Sequence, residues 1–128
     1  MSGIPDWASR EGDTAARGIH FTNHTDFLVT PLDSIFTVWT AVNRTTKSGK
    51  VLGPEERITP LQALRAITSD AAYQYREEKE RGTLEAGKVA DLVLLSANPL
   101  KVNPALLRDV KVVETVKGGK TVYLRAGK

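Results

Sequence analysis

Residues 17–26 read Arg-Gly-Ile-His-Phe-Thr-Asn-His-Thr-Asp, and a proline follows at position 31. Apolar and polar side chains alternate from Ile19 to Asn23, a pattern that predicts a short strand. His24 and Asp26 come next, two residues apart, and would share one side of an ideal strand. Because α/β enzymes keep their chemistry at the carboxyl ends of strands, this stretch predicts a strand that delivers an imidazole and a carboxylate to a pocket.

The spacing of His24 and Asp26 is a weak signal by itself. A single histidine and a single aspartate beside a turn are more often solvated or hydrogen-bonded to the backbone than catalytic. His20 lies four residues before His24, in the middle of the predicted strand. We interpret His20 as a packed or hydrogen-bonded residue, so that the candidate site rests on His24 and Asp26.

The composition predicts one domain-sized globular unit. The chain has 128 residues, of which 26% are charged and 41% hydrophobic, close to the averages of globular proteins. Its net charge of +3 comes from lysines and arginines that are mixed with acidic residues along the chain, which indicates a solvated surface and no nucleic-acid partner. Without cysteine, the chain can form neither a disulfide nor a thiolate metal site.

The sequence also predicts a cytoplasmic protein without a membrane partner. No apolar run approaches the roughly 20 residues that a membrane span needs. The first residues, 1–7, contain neither a basic segment nor an apolar segment of the kind found in signal peptides. Residues 1–16 show no periodic pattern, and we expect a loosely ordered segment with a helical turn near residues 14–17.

Two helical segments are predicted between positions 33 and 82. Asp33 is a good N-cap for a helix from Ser34 to about Arg44, in which apolar residues repeat at helical spacing. Residues 59–62 predict a capping box in front of a second helical segment over residues 60–80. Ser69 and Asp70 favour side-chain hydrogen bonds to the backbone, so we expect this segment to break near them.

The carboxyl-terminal third has the pattern of short strands. Leu92–Leu95 is a continuous apolar run, which is typical of a strand that is covered on both faces. A short helical turn is expected over residues 105–108. Residues 110–117 and 121–124 flank Gly118-Gly119, which predicts a hairpin. Together these elements predict an α+β fold.

Several blocks of sequence, in order and at matching spacing, give the chain a family resemblance. They are residues 21–26, 41–45, 52–60, 63–66, 71–73, 82–95, 98–100 and 119–123. Through them, the chain from Arg17 to Tyr123 resembles the carboxyl-terminal portion of the metal-dependent amidohydrolases, and within these the group called amidohydrolase family 3. The most specific block is 82–95, which contains Gly-x-Leu-x-x-Gly-Lys-x-Ala-Asp-Leu-Val.

The resemblance implies a fold and a division of the chain. Such proteins carry a metal site at the carboxyl ends of the strands of a (β/α)8 barrel, and a small β-sandwich beside the barrel. Ile19–Asp26 would then be similar to the eighth barrel strand. Residues 1–82 would form the last strand and helices of an incomplete barrel, and residues 83–128 would contribute to the β-sandwich.

The resemblance also implies an activity, which is the metal-dependent hydrolysis of carbon–nitrogen bonds other than peptide bonds, in a small amide or cyclic amide substrate. Asp26 matches the aspartate that follows the last strand, which in the family hydrogen-bonds or ligates at a divalent metal, usually zinc, and handles the proton of the metal-bound water. His24 matches a position beside it and is expected to shape the substrate pocket. Asp26 is therefore the expected catalytic residue and a candidate metal ligand.

The remaining metal ligands of such a site are missing from this chain. The family's His-x-His motif and its other histidine ligands precede the matched portion, and a catalytic zinc needs three protein ligands. In addition, Leu28 stands where many relatives have proline. We therefore expect a carboxyl-terminal fragment that is inactive alone, binds no metal stably, and exposes apolar surface from Ile19, Phe21, Phe36 and Trp39 that the missing barrel or self-association would cover. The alternative is a non-catalytic structural or interaction module derived from the same portion.

Overall fold

The computed structural model describes residues 10–26 and 30–127. Its helices precede a small antiparallel sheet, in agreement with the α+β prediction. The helices are α1 (Glu11–Ala16), α2 (Ser34–Asn43), α3 (Pro60–Ala66) and α4 (Ser69–Gln74), and the strands are β1 (Leu92–Leu95), β2 (Val112–Lys117) and β3 (Lys120–Leu124); two 3-10 helices cover Pro54–Glu56 and Pro104–Asp109. None of the helices in the described ranges is long and apolar enough to cross a bilayer.

The predicted boundaries of α2 are confirmed by its end caps. Asp33 adopts an extended conformation, and its carboxylate accepts hydrogen bonds from the backbone N–H groups of Ile35 and Phe36. These bonds satisfy two donors that have no partner inside the helix. At the other end, Arg44 takes a left-handed conformation with φ of 51°, and the helix stops there.

The second helical segment has the predicted capping box and the predicted break. The Thr59 hydroxyl accepts from the Gln62 backbone N–H at 3.3 Å, and the Gln62 side chain accepts from the Thr59 N–H at 2.8 Å. The helix ends at Ala66 and starts again at Ser69. The expected extent to residue 80 is wrong, because α4 ends at Gln74 and Arg76 has a φ of 61°.

The core lies between α2, α3 and the 3-10 helix at Pro104–Asp109. Its buried members are Val38, Ala41, Val42, Ile58, Ala63 and Leu107. Phe21 and Trp39 pack against this cluster, and the Trp39 indole N–H donates to the Ala105 carbonyl at 3.1 Å. Phe21, Phe36 and Trp39 are half-buried, so their expected exposure is only partial, whereas Ile19 is exposed as expected. Residues 104–109 cover part of α2 from within the same chain, and Phe21 packs against the core.

The sheet has the order β1–β2–β3, with antiparallel pairing throughout. The predicted hairpin is confirmed, since Gly118 and Gly119 connect β2 to β3 with positive φ values of 56° and 77°. Glycine adopts such angles at little cost. The expectation that β1 is covered on both faces is wrong for this chain, because Val93 and Leu94 point to opposite faces and both are exposed.

The strand predicted over Ile19–Asn23 is absent from the structure, which has residues 19–25 in an irregular conformation. The Asn23 backbone N–H donates to the Ala66 carbonyl at the end of α3, at 3.4 Å. A strand requires a neighbouring strand for its backbone groups, and here a helix end takes one of them. The eighth-strand interpretation stays a prediction. The expected loosely ordered segment over residues 1–16 is wrong in its described part, because Glu11–Ala16 form α1; Leu28 and residues 1–9 lie outside the described ranges.

Candidate active site

The segment that carries the predicted site residues lies against α3 and α4. Besides the backbone bond from Asn23 to Ala66, the Thr22 hydroxyl donates to the Gln74 side-chain oxygen at 2.7 Å. His20 contacts Asp70 of α4. These contacts span 43 to 52 positions of sequence and hold residues 20–23 on the two helices. The position of residues 20–23 is therefore fixed, and residues 24–26 follow directly after them.

His24 and Asp26 are brought together by a hydrogen bond between backbone and side chain. The Asp26 backbone N–H donates to His24 Nδ1 at 3.0 Å. Asp26 has a φ of 48°, in the left-handed region that aspartate adopts more readily than most residues. Both side chains are exposed. The structure thus places the two predicted residues in one tight turn, with the Asp26 carboxylate accessible to a ligand.

A second group, formed by His20, Asp70 and Tyr73, was not recognised from the sequence. His20 Nδ1 lies 2.9 Å from Asp70 Oδ1, and the imidazole stacks on the Tyr73 ring with 4.5 Å between the ring centroids. The Asp70 side chain is only 16% exposed. Since 50 residues separate His20 from Asp70, no local spacing could have revealed the pair, although it agrees with the expected hydrogen-bonded role of His20.

A groove of about 670 Å³ lies elsewhere, between α4 and the sheet. Ala71, Ala72 and Tyr75 form part of its helical wall, and Leu92 and Val93 form part of its sheet wall. Residues 20–26 do not line it. The groove is mostly apolar. We therefore place the candidate chemistry at His24 and Asp26.

The block that gives the strongest resemblance, residues 82–95, has a structural explanation. The Lys88 ammonium donates to the Glu78 carbonyl at 2.7 Å and to the Thr83 hydroxyl at 2.5 Å, and it lies 3.5 Å from the Glu85 carboxylate. A hydrogen bond from Thr83 and the charge of Lys88 lower the pKa of Glu85. Asp91 accepts from the Gly118 N–H at 2.7 Å. This block therefore fastens the loop after α4 to the hairpin.

The described residues do not fit a complete metal centre. Across residues 10–26 and 30–127, no three histidine, cysteine, aspartate or glutamate side chains are grouped so as to hold an ion. A catalytic zinc takes three protein ligands and keeps one position open. Asp26 can offer at most one carboxylate ligand to such a centre.

Comparisons with known proteins agree with the resemblance. The model of the amidohydrolase family matches residues 3–123. An N-substituted formamide deformylase from Arthrobacter pascens is 38% identical over 90 residues, which are 70% of this chain and 17% of that protein. The "Putative amidohydrolase YtcJ" of Bacillus subtilis (strain 168) is 28% identical over 111 residues, which are 84% of this chain and 21% of that protein.

A solved structure shows the same fold. The crystal structure of an amidohydrolase from Thermotoga maritima MSB8 superimposes with a TM-score of 0.62 at 25% sequence identity, covering 87% of this chain and 24% of that one. The chain thus spans about a fifth of the length of the curated relatives it matches, between 17% and 21%.

Proposed function

The chain belongs to the amidohydrolase family, and on this premise we propose that it supplies Asp26 to the active site of a hydrolase of non-peptide carbon–nitrogen bonds. The observation that carries the proposal is the family match over residues 3–123, which includes the turn where His24 and Asp26 meet. An exposed carboxylate on a fixed segment is the kind of group that general acid–base catalysis requires.

Asp26 would move one proton in this reaction. As a water oxygen bonds to the amide carbon, the carboxylate accepts a proton from that water. It then gives the proton to the nitrogen as the carbon–nitrogen bond breaks, so that the products are a carboxylic acid and an amine. Such proton transfer by a positioned side chain contributes about 10²- to 10⁴-fold to the rate of an enzyme.

A divalent metal belongs to this proposal, with zinc as the first candidate, because it would lower the pKa of bound water. Among the described residues, Asp26 is the ligand that the family resemblance implies. At least one further ligand would have to come from residues other than the described ones, because these contain no group of three candidate ligands. Such a ligand would be supplied by additional chain or by a partner protein.

The proposed substrate class is a small amide whose carbonyl is accessible. One relative is called an N-substituted formamide deformylase, so N-substituted formamides are the first compounds to test. N-acyl and cyclic amides come next. His24, whose ring is tied to the Asp26 backbone, would form part of the pocket beside the carboxylate.

A chimaera tests the role of Asp26. The portion of the Arthrobacter pascens protein that matches this chain, at 38% identity, would be exchanged together with the position of Asp26, and formamide hydrolysis would be measured. Asp26→Asn keeps the shape of the side chain and removes its ability to take a proton. We expect this variant to lower kcat by about 10²-fold or more.

The matched control is Asp109→Asn, a change at an exposed aspartate of the 3-10 helix. We expect it to leave the kcat of the chimaera unchanged. An Asp26→Asn chimaera that keeps full activity would contradict the proposed role. The 128-residue chain alone should neither hydrolyse these amides nor bind zinc tightly. Stoichiometric tight zinc binding with turnover would contradict the proposal that further metal ligands come from additional chain or from a partner protein.

A second function is favoured by a different observation. The strands leave large apolar side chains exposed, including Val93, Leu124 and Val122, as expected for a surface that another protein segment covers. A non-catalytic structural or interaction module with this surface would show no dependence on Asp26. An active wild-type chimaera that is insensitive to Asp26→Asn would favour this alternative.

A further inference from the structure

The chain has two histidines, and their Nδ1 atoms have opposite hydrogen-bonding roles. His20 Nδ1 lies 2.9 Å from the Asp70 carboxylate. A carboxylate can only accept a hydrogen bond, so Nδ1 of His20 must carry a proton. When the ring is neutral, its other nitrogen, Nε2, is then a bare acceptor.

His24 shows the reverse arrangement. Its Nδ1 atom lies 3.0 Å from the backbone nitrogen of Asp26. A backbone N–H can only donate, so Nδ1 of His24 must be without a proton. In the neutral ring the proton therefore sits on Nε2, which becomes a hydrogen-bond donor.

We infer that the two histidines hold opposite tautomers and therefore take opposite ligands. His24 is a specificity-determining residue that donates Nε2–H to an oxygen acceptor, such as the carbonyl oxygen of an amide. His20 offers the lone pair of Nε2 to a divalent cation. The substrate part of this assignment rests on the proposed function.

The surroundings of each ring maintain this difference. Asp70 is largely shielded while the His20 side chain is 57% exposed, so the carboxylate fixes the ring and leaves it reachable from solvent. A carboxylate on one nitrogen is the usual way in which proteins orient a histidine that binds a metal through the other. His24 has a backbone N–H at Nδ1 instead of a carboxylate, so its Nε2 atom carries the proton and cannot bind a metal.

The tautomers can be read directly in the 128-residue chain labelled with ¹⁵N. Long-range ¹H–¹⁵N correlation spectra distinguish the two neutral forms. We expect the Nδ1–H form for His20 and the Nε2–H form for His24. Asp70→Ala should remove the preference of His20 and leave His24 unchanged. Finding the same tautomer at both positions in the wild-type chain would overturn the inference.

Two substitutions of His24 test its hydrogen bond with the Asp26 backbone N–H. His24→Asn retains a side-chain oxygen that can accept from the N–H two residues later, whereas His24→Ala removes it. We expect the Asp26 amide hydrogen to exchange roughly fivefold to tenfold faster in the alanine variant, which is the size expected for one lost hydrogen bond. The asparagine variant should stay close to wild type. Equal exchange in wild type and the alanine variant would contradict the bond.

Zinc ions alone provide a second readout of the same assignment. Added zinc should shift the Nε2 resonance of His20 before that of His24, because only His20 has a free lone pair there. A shift at His24 first would overturn the assignment. None of these spectra depends on turnover, so an Asp26→Asn chimaera that keeps full activity would refute the proposed function and leave the tautomers standing, and the reverse also holds.

Discussion

The helical region and the sheet region of this chain are stabilised in different ways. Residues 10–74, together with Leu107 and Val110, contain every buried hydrophobic side chain of the described ranges. In the sheet, the strand residues are half-buried or exposed, and β3 is exposed along its whole length. The helices thus carry their own core, whereas the strands form from local pairing and a glycine turn. The sheet depends on apolar burial less than the helices do.

The largest expected effect on stability is at Leu107, a core residue that lies between β1 and β2 in sequence. Leu107 is fully buried and its neighbour Leu106 is 56% exposed, and both lie on the same 3-10 helix. Leu107→Ala should lower the free energy of unfolding by about 3 kcal/mol, through lost burial and a cavity. Urea denaturation of the 128-residue chain measures this loss.

Leu106→Ala is the matched control, with an expected change within about 0.5 kcal/mol. Leu124→Ala in the exposed strand β3 should be similarly small if the sheet contributes little apolar burial. A loss at Leu124 as large as that at Leu107 would break the comparison, because it would mean that the sheet has a core of its own, formed for example by self-association.

The difference between the regions also explains which parts of the fold can be predicted from sequence. Asp33, Thr59 and Gln62 act within three residues of their own positions, and Gly118-Gly119 determines a turn, so these elements follow from local chemistry. The strand over residues 19–23 does not, because a strand exists only with a hydrogen-bonded neighbour.

The candidate site shows the same limit. The spacing of His24 and Asp26 predicts two side chains on one side of a strand, whereas in the structure the Asp26 backbone N–H donates to the His24 ring in a turn. The pairing of His20 with Asp70 joins residues 50 positions apart, so that only the packing of residues 19–23 against α4 creates it. The functional roles came from the family resemblance, since one histidine and one aspartate do not define a reaction.

A smaller effect is expected at the connection between the two regions. Gly82 and Gly87 have nearly equal φ values of +93° and +91°. A β-carbon at Gly82 would lie 2.6 Å from the β-carbon of the buried Ala72, whereas a β-carbon at Gly87 would meet nothing within 4 Å. Gly87→Ala should cost about 1 kcal/mol for the left-handed conformation, and Gly82→Ala should cost about 1 kcal/mol more for overpacking.

Thermal unfolding of the two variants measures this difference, and amide hydrogen exchange locates it. Faster exchange should appear in α4 for Gly82→Ala and only around residues 83–90 for Gly87→Ala. Equal losses in both variants would show that α4 is not held against the connection. The boundary between residues 82 and 83, which is predicted from the sequence, would then need to be moved.

The smallest expected effect concerns the exposed loop between the regions. The hydrogen bond from Thr83 and then the charge of Lys88 lower the pKa of Glu85. A carboxyl group whose pKa is lower in the folded chain favours folding above its unfolded pKa, and this contribution is lost as pH falls through the folded pKa. The Glu85 pKa should therefore rise toward its ordinary value in Thr83→Val, and rise less in Lys88→Met.

NMR titration of the Glu85 carboxyl carbon measures this pKa, and Ser96→Ala, a change on the far side of β1, serves as the control with no expected shift. Because the Glu85 side chain is 63% exposed, solvent screens its interactions, and Thr83→Val should leave global unfolding nearly unchanged. A large loss of global stability would mean that this loop is part of the structure that holds the helices and the sheet together, and the two regions would then have to unfold as one unit. An unchanged Glu85 pKa in Thr83→Val would instead show that the Thr83 hydroxyl is not the main cause of the lowered pKa.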